Sequence, residues 1–437
     1  MLDNDWTAYV DLLRRKVVPA LGCTEPIAVA LAAARCRALT GEMPERLQVW
    51  VSGNLYKNGM GVGVPGTGQV GLPIAAAIGA VAGDATAGLE VLKAVHPADV
   101  EAATALLPFT TVAIRDVDDP LYAEVLAEGA GHTARVVICG GHTNVVRAEI
   151  DGVVVFEAAA GGSSAAAPTL PEMTLRRLFA FASEVPFEAI AFMGEAARLN
   201  IALSDEGLAG SYGLKIGATL TRQIKRGLLA DDLMSLAMRL SSAASDARMD
   251  GAMLPAMSNS GSGNQGISAT MPVVAAARLL AVDDERLVRA VAFSHLVAIY
   301  IKTQQNALSA LCAASTAAMG AGAAITWLLG GDFVAIENCI HNMVGDVSGI
   351  ICDGAKTSCS MKVSTSAAAA VKAAMLAADH VRVSASEGIV AETADQTIAN
   401  LGLLSRQGML ETDRQIIRIM LDKEDARHAA ERDAAAG

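Results

Sequence analysis

Apolar residues change their spacing twice along this chain, and that change limits the possible folds more than any single motif does. Between about residues 45 and 157, short runs alternate: Leu47-Gln-Val-Trp-Val-Ser, Thr111-Val-Ala-Ile-Arg, Ala134-Arg-Val-Val-Ile-Cys, Asn144-Val-Val-Arg-Ala-Glu-Ile and Val153-Val-Val-Phe. A period of two places apolar side chains on one face of a strand. Asp151-Gly152, between the last two runs, is a hairpin turn signal. Helical stretches near 71–82 and 98–106 lie among these strands. From about 172 to 420 the period is helical throughout, with Ala, Leu and Met recurring. Residues 5–40 read as two helices interrupted at Gly22-Cys23-Thr24, with Pro26 suited to the first turn of the second. The expected fold class is therefore α+β. A mainly all-α helical domain (1–42 plus 170–437) would carry an inserted α+β domain (43–169) after its first two helices. Gly161 to Pro168 is the expected linker, and the charged, Ala-rich stretch Asp422–Gly437 is expected to fray.

Composition narrows the function. The 437 residues include about 85 alanines and only 4% aromatics, so the core is built from small side chains and closely approaching helices. A net charge of −12 argues against nucleic acid or an anionic membrane as partner. The longest charge-free run, Thr303–Gly331, is long enough to span a bilayer, yet Ala, Gly, Ser and Thr dominate it. A buried helix explains that run better than a membrane span. The N-terminus carries acid where a signal peptide carries basic charge, so the expected location is cytoplasmic. Seven cysteines (23, 36, 139, 312, 339, 352 and 359), an odd number, then favour metal binding or catalysis over a disulfide framework.

Cys352 and Cys359 stand seven positions apart across a loop containing Gly354, and Cys312 precedes them. Three thiolates suit a [4Fe-4S] cluster whose fourth iron is open to substrate, although three small buried hydrophobes would read the same way by spacing alone. Zinc is disfavoured, because no Cys-x-x-Cys or His-x-x-x-His pair is present. Ser258-Asn-Ser-Gly-Ser-Gly-Asn-Gln-Gly266 is too rich in Gly and Ser for a helix interior. Its N–H groups with Ser260, Ser262, Asn264 and Gln265 form a candidate cradle for a carboxylate. The Gly-rich stretch 53–68 matches neither a P-loop nor a dinucleotide fingerprint, but it brings Lys57 and Asn58 forward as anion contacts. His142 and Asn144 precede a strand and offer polar contacts, and Lys302 is a further candidate for the carboxylate. Cys23, near a helix N-terminus, is expected to have a lowered thiol pKa. His295, His341, Cys36, Cys139 and Cys339 read as structural.

With these pieces in order, the sequence resembles the L-cysteine desulfidase family, itself related to the α-chain of iron–sulfur L-serine dehydratases. The strings that carry the resemblance are Gly22-Cys-Thr-Glu-Pro26, Lys57-Asn-Gly-Met-Gly61 with Val64-Pro-Gly-Thr67, Ser260–Gly266, Tyr300-Ile-Lys302, Leu308-Ser-Ala-Leu-Cys312 and Ile351–Lys356 with Ser358-Cys359. The resemblance implies a pyridoxal-independent β-elimination that converts L-cysteine to pyruvate, ammonia and sulfide. It implies Cys312, Cys352 and Cys359 as cluster ligands and Cys23 as a catalytic base or acid. Ala313 departs from the glycine expected after the first ligand. L-serine dehydration by the same cluster, a pyridoxal phosphate enzyme, and a non-catalytic iron–sulfur or amino-acid sensor are the competing readings. The expected partner is a small amino-acid substrate, and a homo-oligomer is compatible with all of them.

Overall fold

The computed structural model describes residues 4–158, 170–305 and 308–436. The expected linker at 161–168 and the expected end of the inserted domain at 169 lie outside the described residues. The chain opens with α1 (Asn4–Lys16), a two-residue strand β1 (Pro19–Ala20) and α2 (Thr24–Thr40). Then follow β2 (Arg46–Val51), α3 (Gly53–Gly59), α4 (Leu72–Ala82), α5 (Pro97–Leu106), β3 (Thr110–Ile114), β4 (Tyr122–Gly129), β5 (His132–Cys139), β6 (Val145–Ile150) and β7 (Val153–Glu157). The six strands β2–β7 form one sheet in the order β3-β2-β4-β5-β6-β7, parallel between β2 and β3 and antiparallel elsewhere. Every expected strand is present. β4 is an additional central strand: Ala123, Val125 and Ala127 face the core, and its buried Glu124 is paired with Arg115 and Arg135.

The rest is helical: α6 (Leu175–Glu184), α7 (Phe187–Ile190), α8 (Gly194–Ala209), α9 (Ile216–Lys225), α10 (Leu233–Met249), then a two-residue strand β8 (Ala256–Met257). It continues with α11 (Gly263–Leu280), α12 (Asp284–Thr303), α13 (Ala313–Leu328), α14 (Phe333–Val347), α15 (Cys359–Ala378), α16 (Ala394–Leu403) and α17 (Leu410–Ala436). The fold is α+β and dominated by helices. The charge-free run holds α13, all but fully buried inside the bundle. Among the described residues no helix is long and apolar enough to cross a membrane.

Two hydrophobic cores result. One joins α1 to the helices from α6 onward, with Phe179, Phe293, Trp327 and Phe333 in mutual ring contact. The other joins the sheet to α2 and α4. Helix α2, grouped with the helical half in the sequence reading, thus packs against β4, β5 and α4, with Ile27, Val29, Leu31 and Cys36 buried in that core. We accordingly place the division between the two cores at Cys23, where the chain passes from one to the other. Strand β1 pairs antiparallel with β8, Pro19 opposite Met257, and so pins the entry to α2 onto the helical core. The C-terminal stretch expected to fray is instead helical through Ala436 as part of α17. That helix returns to the sheet side, where Ile417 meets Gly53 and Glu424 accepts a hydrogen bond from Tyr56.

Candidate active site

Where the two cores meet, a cavity of about 100 Å³ is lined by Cys23, Thr24, Glu25, Asn58, His142, Arg248, the Ser260–Gln265 segment, Lys302, Cys312, Cys352 and Cys359. A larger open groove of about 1010 Å³ runs beside the sheet past Met43, Arg46, Phe109 and His132. It contains none of the cysteines, and the smaller cavity is the chemically equipped one.

Local sequence explains how each wall is placed. Cys312 is the N-cap of α13, with extended backbone, and Cys359 is the first residue of α15. The segments leading to Cys312 and Cys352 are laced together: the Cys312 N–H donates to Ile350 O at 3.0 Å, and the Cys352 N–H to Ala310 O at 2.7 Å. Ala313, in place of the expected glycine, begins α13 in ordinary helical conformation and needs no special backbone freedom. Gly354 does need it. Its φ is +103°, and a Cβ there would lie 2.4 Å from Lys57 O. Only glycine lets the Cys352–Cys359 loop lie against α3.

The Ser258–Gly266 stretch is only partly loop. Ser262 caps α11 by accepting from the Gln265 N–H at 3.3 Å, so Gly263, Asn264, Gln265 and Gly266 form its first turn. The glycine content misleads here, because Gly266 serves a close approach: a Cβ would sit 1.9 Å from Met257 O of β8. Ser260, Ser262, Asn264 and Gln265 all reach the cavity. Gln265 donates through Nε2 to Asn259 Oδ1 at 2.8 Å, and its buried Oε1 has no partner among the described residues.

Two expected contacts lie elsewhere. Lys57 is fully buried in α3, itself a helix within the stretch read as a Gly-rich loop, and does not line the cavity. Its ammonium is held by Asp413 at 2.5 Å and donates to Cys352 O at 3.3 Å. It steadies the cysteine loop from behind, its charge met by Asp413 and turned away from the cavity. Asn144 closes a turn by donating to Cys139 O at 2.8 Å. By contrast His142 does reach the cavity, where burial lowers its pKa and its Nε2 is unpartnered among the described residues. His295 is a satisfied core histidine between Asn259 and Thr270. Cys36 and Cys339 are buried in the two cores, and Cys139 ends β5.

Cys23 sits at the N-cap of α2, as its position predicts. Its pKa, however, is raised to about 11: burial outweighs the lowering effect of the neighbouring Arg248 guanidinium, and Glu25 adds to the rise. Sequence reading passed over Thr24, Glu25 and Arg248. The first two stand within Gly22–Pro26, and a carboxylate in so apolar a helix start was the available signal. Arg248, buried at the end of α10, donates to Gly22 O at 3.1 Å.

The chain matches the family described as serine dehydratase alpha chain over residues 86–418. It belongs to that family. A "UPF0597 protein" of Aeromonas hydrophila is 65% identical over 425 residues, 97% of this chain and 98% of its own length. Proteins of the same name from Chromobacterium violaceum and Oleidesulfovibrio alaskensis are 53% identical over 421 residues and 50% over 430. They cover 96% and 97% of this chain and 98% and 100% of their own. The serine dehydratase likeness thus spans residues 86–418, while the likeness to the UPF0597 proteins runs along nearly the whole chain.

For a member of the serine dehydratase alpha-chain family, the donor set here fits an iron–sulfur group. Burial raises the pKa of Cys312, and raises that of Cys359 to about 12; in both the neighbouring Cys352 adds to the effect. Thiols whose ionisation burial opposes become thiolates readily around a cationic centre. Among the described residues no three His, Cys, Asp or Glu side chains are grouped to hold a single metal ion.

Proposed function

We propose that this protein is an iron–sulfur lyase that eliminates sulfide from L-cysteine to give pyruvate, ammonia and hydrogen sulfide. The observation that carries the reading is the convergence of Cys23, Cys312, Cys352 and Cys359 with the polar Ser260–Gln265 segment on one enclosed cavity. Cys312, Cys352 and Cys359 would hold a [4Fe-4S] cluster, whose open iron supplies Lewis acidity toward the leaving atom. The chain's own groups supply the rest. The N–H groups and side chains at the start of α11 bind the substrate carboxylate at the positive end of the helix dipole. Cys23 moves a proton. As the structure stands it is a protonated thiol, so it serves as the acid for the departing sulfide, or as base after losing its proton. His142, a neutral imidazole with an unused nitrogen in the cavity, offers a second proton acceptor for the Cα hydrogen. Loss of that proton and of sulfide leaves aminoacrylate, whose hydrolysis yields pyruvate and ammonia.

The test is sulfide and pyruvate release from L-cysteine by anaerobically purified, cluster-reconstituted protein, with L-serine in parallel. Cysteine turnover that disappears on exposure to air is the expected result. Turnover of serine alone would keep the mechanism and change the leaving group, as the family relationship allows. A full cluster with no turnover of either would replace the lyase reading with a sensor.

A further inference from the structure

Arg248 stands in the last turn of α10, where the negative end of that helix favours a cation, and only 4% of the residue is exposed. Its side chain, however, lies against α11. A Cβ on Gly263, the first residue of that helix, would sit 2.0 Å from Arg248 Nε. The guanidinium is thus held at the positive end of the α11 dipole, a costly place for a cation unless an anion joins it. Lys57, Arg239 and Arg289, also largely buried, have Asp413, Asp231 and Glu285 as partners. Arg248 instead meets Gly22 O through Nη2 at 3.1 Å, Met249 Sδ through Nη1 at 3.2 Å, and the Cys23 side chain. Its buried Nε has no partner among the described residues. Glu25, the carboxylate of the cavity wall, is bonded to Asn58 and Thr24, and Lys302 and His142 act on it electrostatically.

The hydrogen bonds around Met249 point the same way. Its thioether is a weak acceptor, yet Arg248 Nη1 and Asn264 Nδ2 each approach the sulfur at 3.2 Å, and Cys23 Sγ at 3.6 Å. Neither of the two nitrogens has an oxygen partner among the described residues, and Arg248, Met249 and Asn264 all line the cavity. A guanidinium and an amide, both strong donors, therefore converge where the protein offers them sulfur. The acceptor that suits them has two oxygens and a negative charge. A carboxylate supplies both, and the guanidinium fork matches its geometry.

We infer that Arg248, with Asn264 beside it, binds the carboxylate of the substrate, so that the cavity selects amino acids over amines lacking that group. This rests on the lyase reading for the identity of the substrate and names the side chain that anchors its acidic end. Gly263 belongs to the same device, since any larger residue would push the guanidinium off the first turn of α11.

The experiment compares wild-type holoprotein with Arg248→Gln, using two ligands that divide the substrate between them. L-alanine keeps the carboxylate and the ammonium but has no leaving group. Cysteamine keeps the ammonium and the thiol but has no carboxylate. Steady-state kinetics with L-cysteine and L-serine give KM and kcat, and calorimetric titration gives a Kd for each ligand. For Arg248→Gln we expect KM for L-cysteine and Kd for L-alanine to rise about 30-fold or more, with cysteamine binding and iron content unchanged. If that variant does not fold, Arg248→Lys decides, because it keeps the charge and loses the fork. The same two constants should then rise roughly 10-fold, again with cysteamine unmoved. Equal weakening of L-alanine and cysteamine would overturn the inference. So would a fall in kcat with L-alanine binding unchanged, which would make Arg248 a positioning residue for Cys23. Both of those results leave the lyase reading standing. A fully loaded wild-type holoprotein that neither binds L-alanine nor converts either amino acid would remove the lyase reading and this inference together.

Discussion

At Cys23, position and environment pull the same thiol in opposite directions. The N-cap of α2 favours a thiolate through the helix dipole, while full burial beside Glu25 favours the neutral thiol, and burial wins. The thiol is thus poised to give a proton, and its removal should spare the cluster ligands. Cys23→Ala is expected to keep its iron and sulfide and to lose turnover on the order of 10²- to 10⁴-fold. Cys352→Ser should lose both. Metal and sulfide analysis beside the kinetics checks this, and a Cys352→Ser protein with full iron would take that residue off the ligand set. About half of the cavity's lining residues were legible from type and spacing, because cysteines and a Gly/Ser/Asn/Gln cluster are rare in so apolar a chain. Lys57 was misread because a lysine in a Gly-rich stretch looks like an anion contact. Its partner Asp413 stands far along the chain, and no local pattern connects the two. Arg248 was missed for the same reason: it looks like any arginine near a helix end until Gly22 is brought beside it.

Strands and helices were legible wherever the apolar period was clean. β4 was not, since Tyr122-Ala-Glu-Val-Leu-Ala-Glu-Gly129 has the alanine and glutamate of a helix. Pairing with β2 on one side and β5 on the other overrides that preference. The start of α11 was hidden by glycines whose purpose is close packing against β8. The contact between α3 and α17 is the element-scale feature with the clearest energetic consequence. Lys57 and Asp413 form a buried ion pair, with side chains 0% and 12% exposed. Lys57→Met leaves the carboxylate unpaired and is expected to destabilise by about 3–5 kcal/mol. Replacing Asp413 by leucine in the same chain should recover most of that loss. Urea unfolding of the single and double variants measures both, and additive losses would show that the pair is not coupled.

At the scale of the whole molecule, the pH dependence of stability has an identifiable contributor in His295. The ring is fully buried between Asn259 and Thr270, and burial lowers its pKa to about 3. The unfolded chain takes up a proton near pH 6.5, whereas the folded one does not until about pH 3. The stability this residue contributes is therefore complete above pH 6.5 and is lost as pH falls through that window. The slope is roughly 1.4 kcal/mol per pH unit. His295→Gln, which can still bond both neighbours, should flatten the acid limb by that amount in urea unfolding at a series of pH values. An unchanged slope would show that the ring is already solvated in the native state.

The cavity draws on Cys23 near one end of the chain, Asn58 from α3, His142 from the turn between β5 and β6, Cys312 to Cys359 from the bundle, and is backed by Asp413 in the last helix. Synthesis thus delivers every cysteine of the site before the carboxylate that neutralises the lysine behind them. A fragment ending before α17 lacks the Asp413 that holds Lys57 behind the cysteine loop, and one beginning after α2 lacks Cys23. Groups that meet at this one cavity are therefore strung along the chain from α2 to α15 and backed by α17.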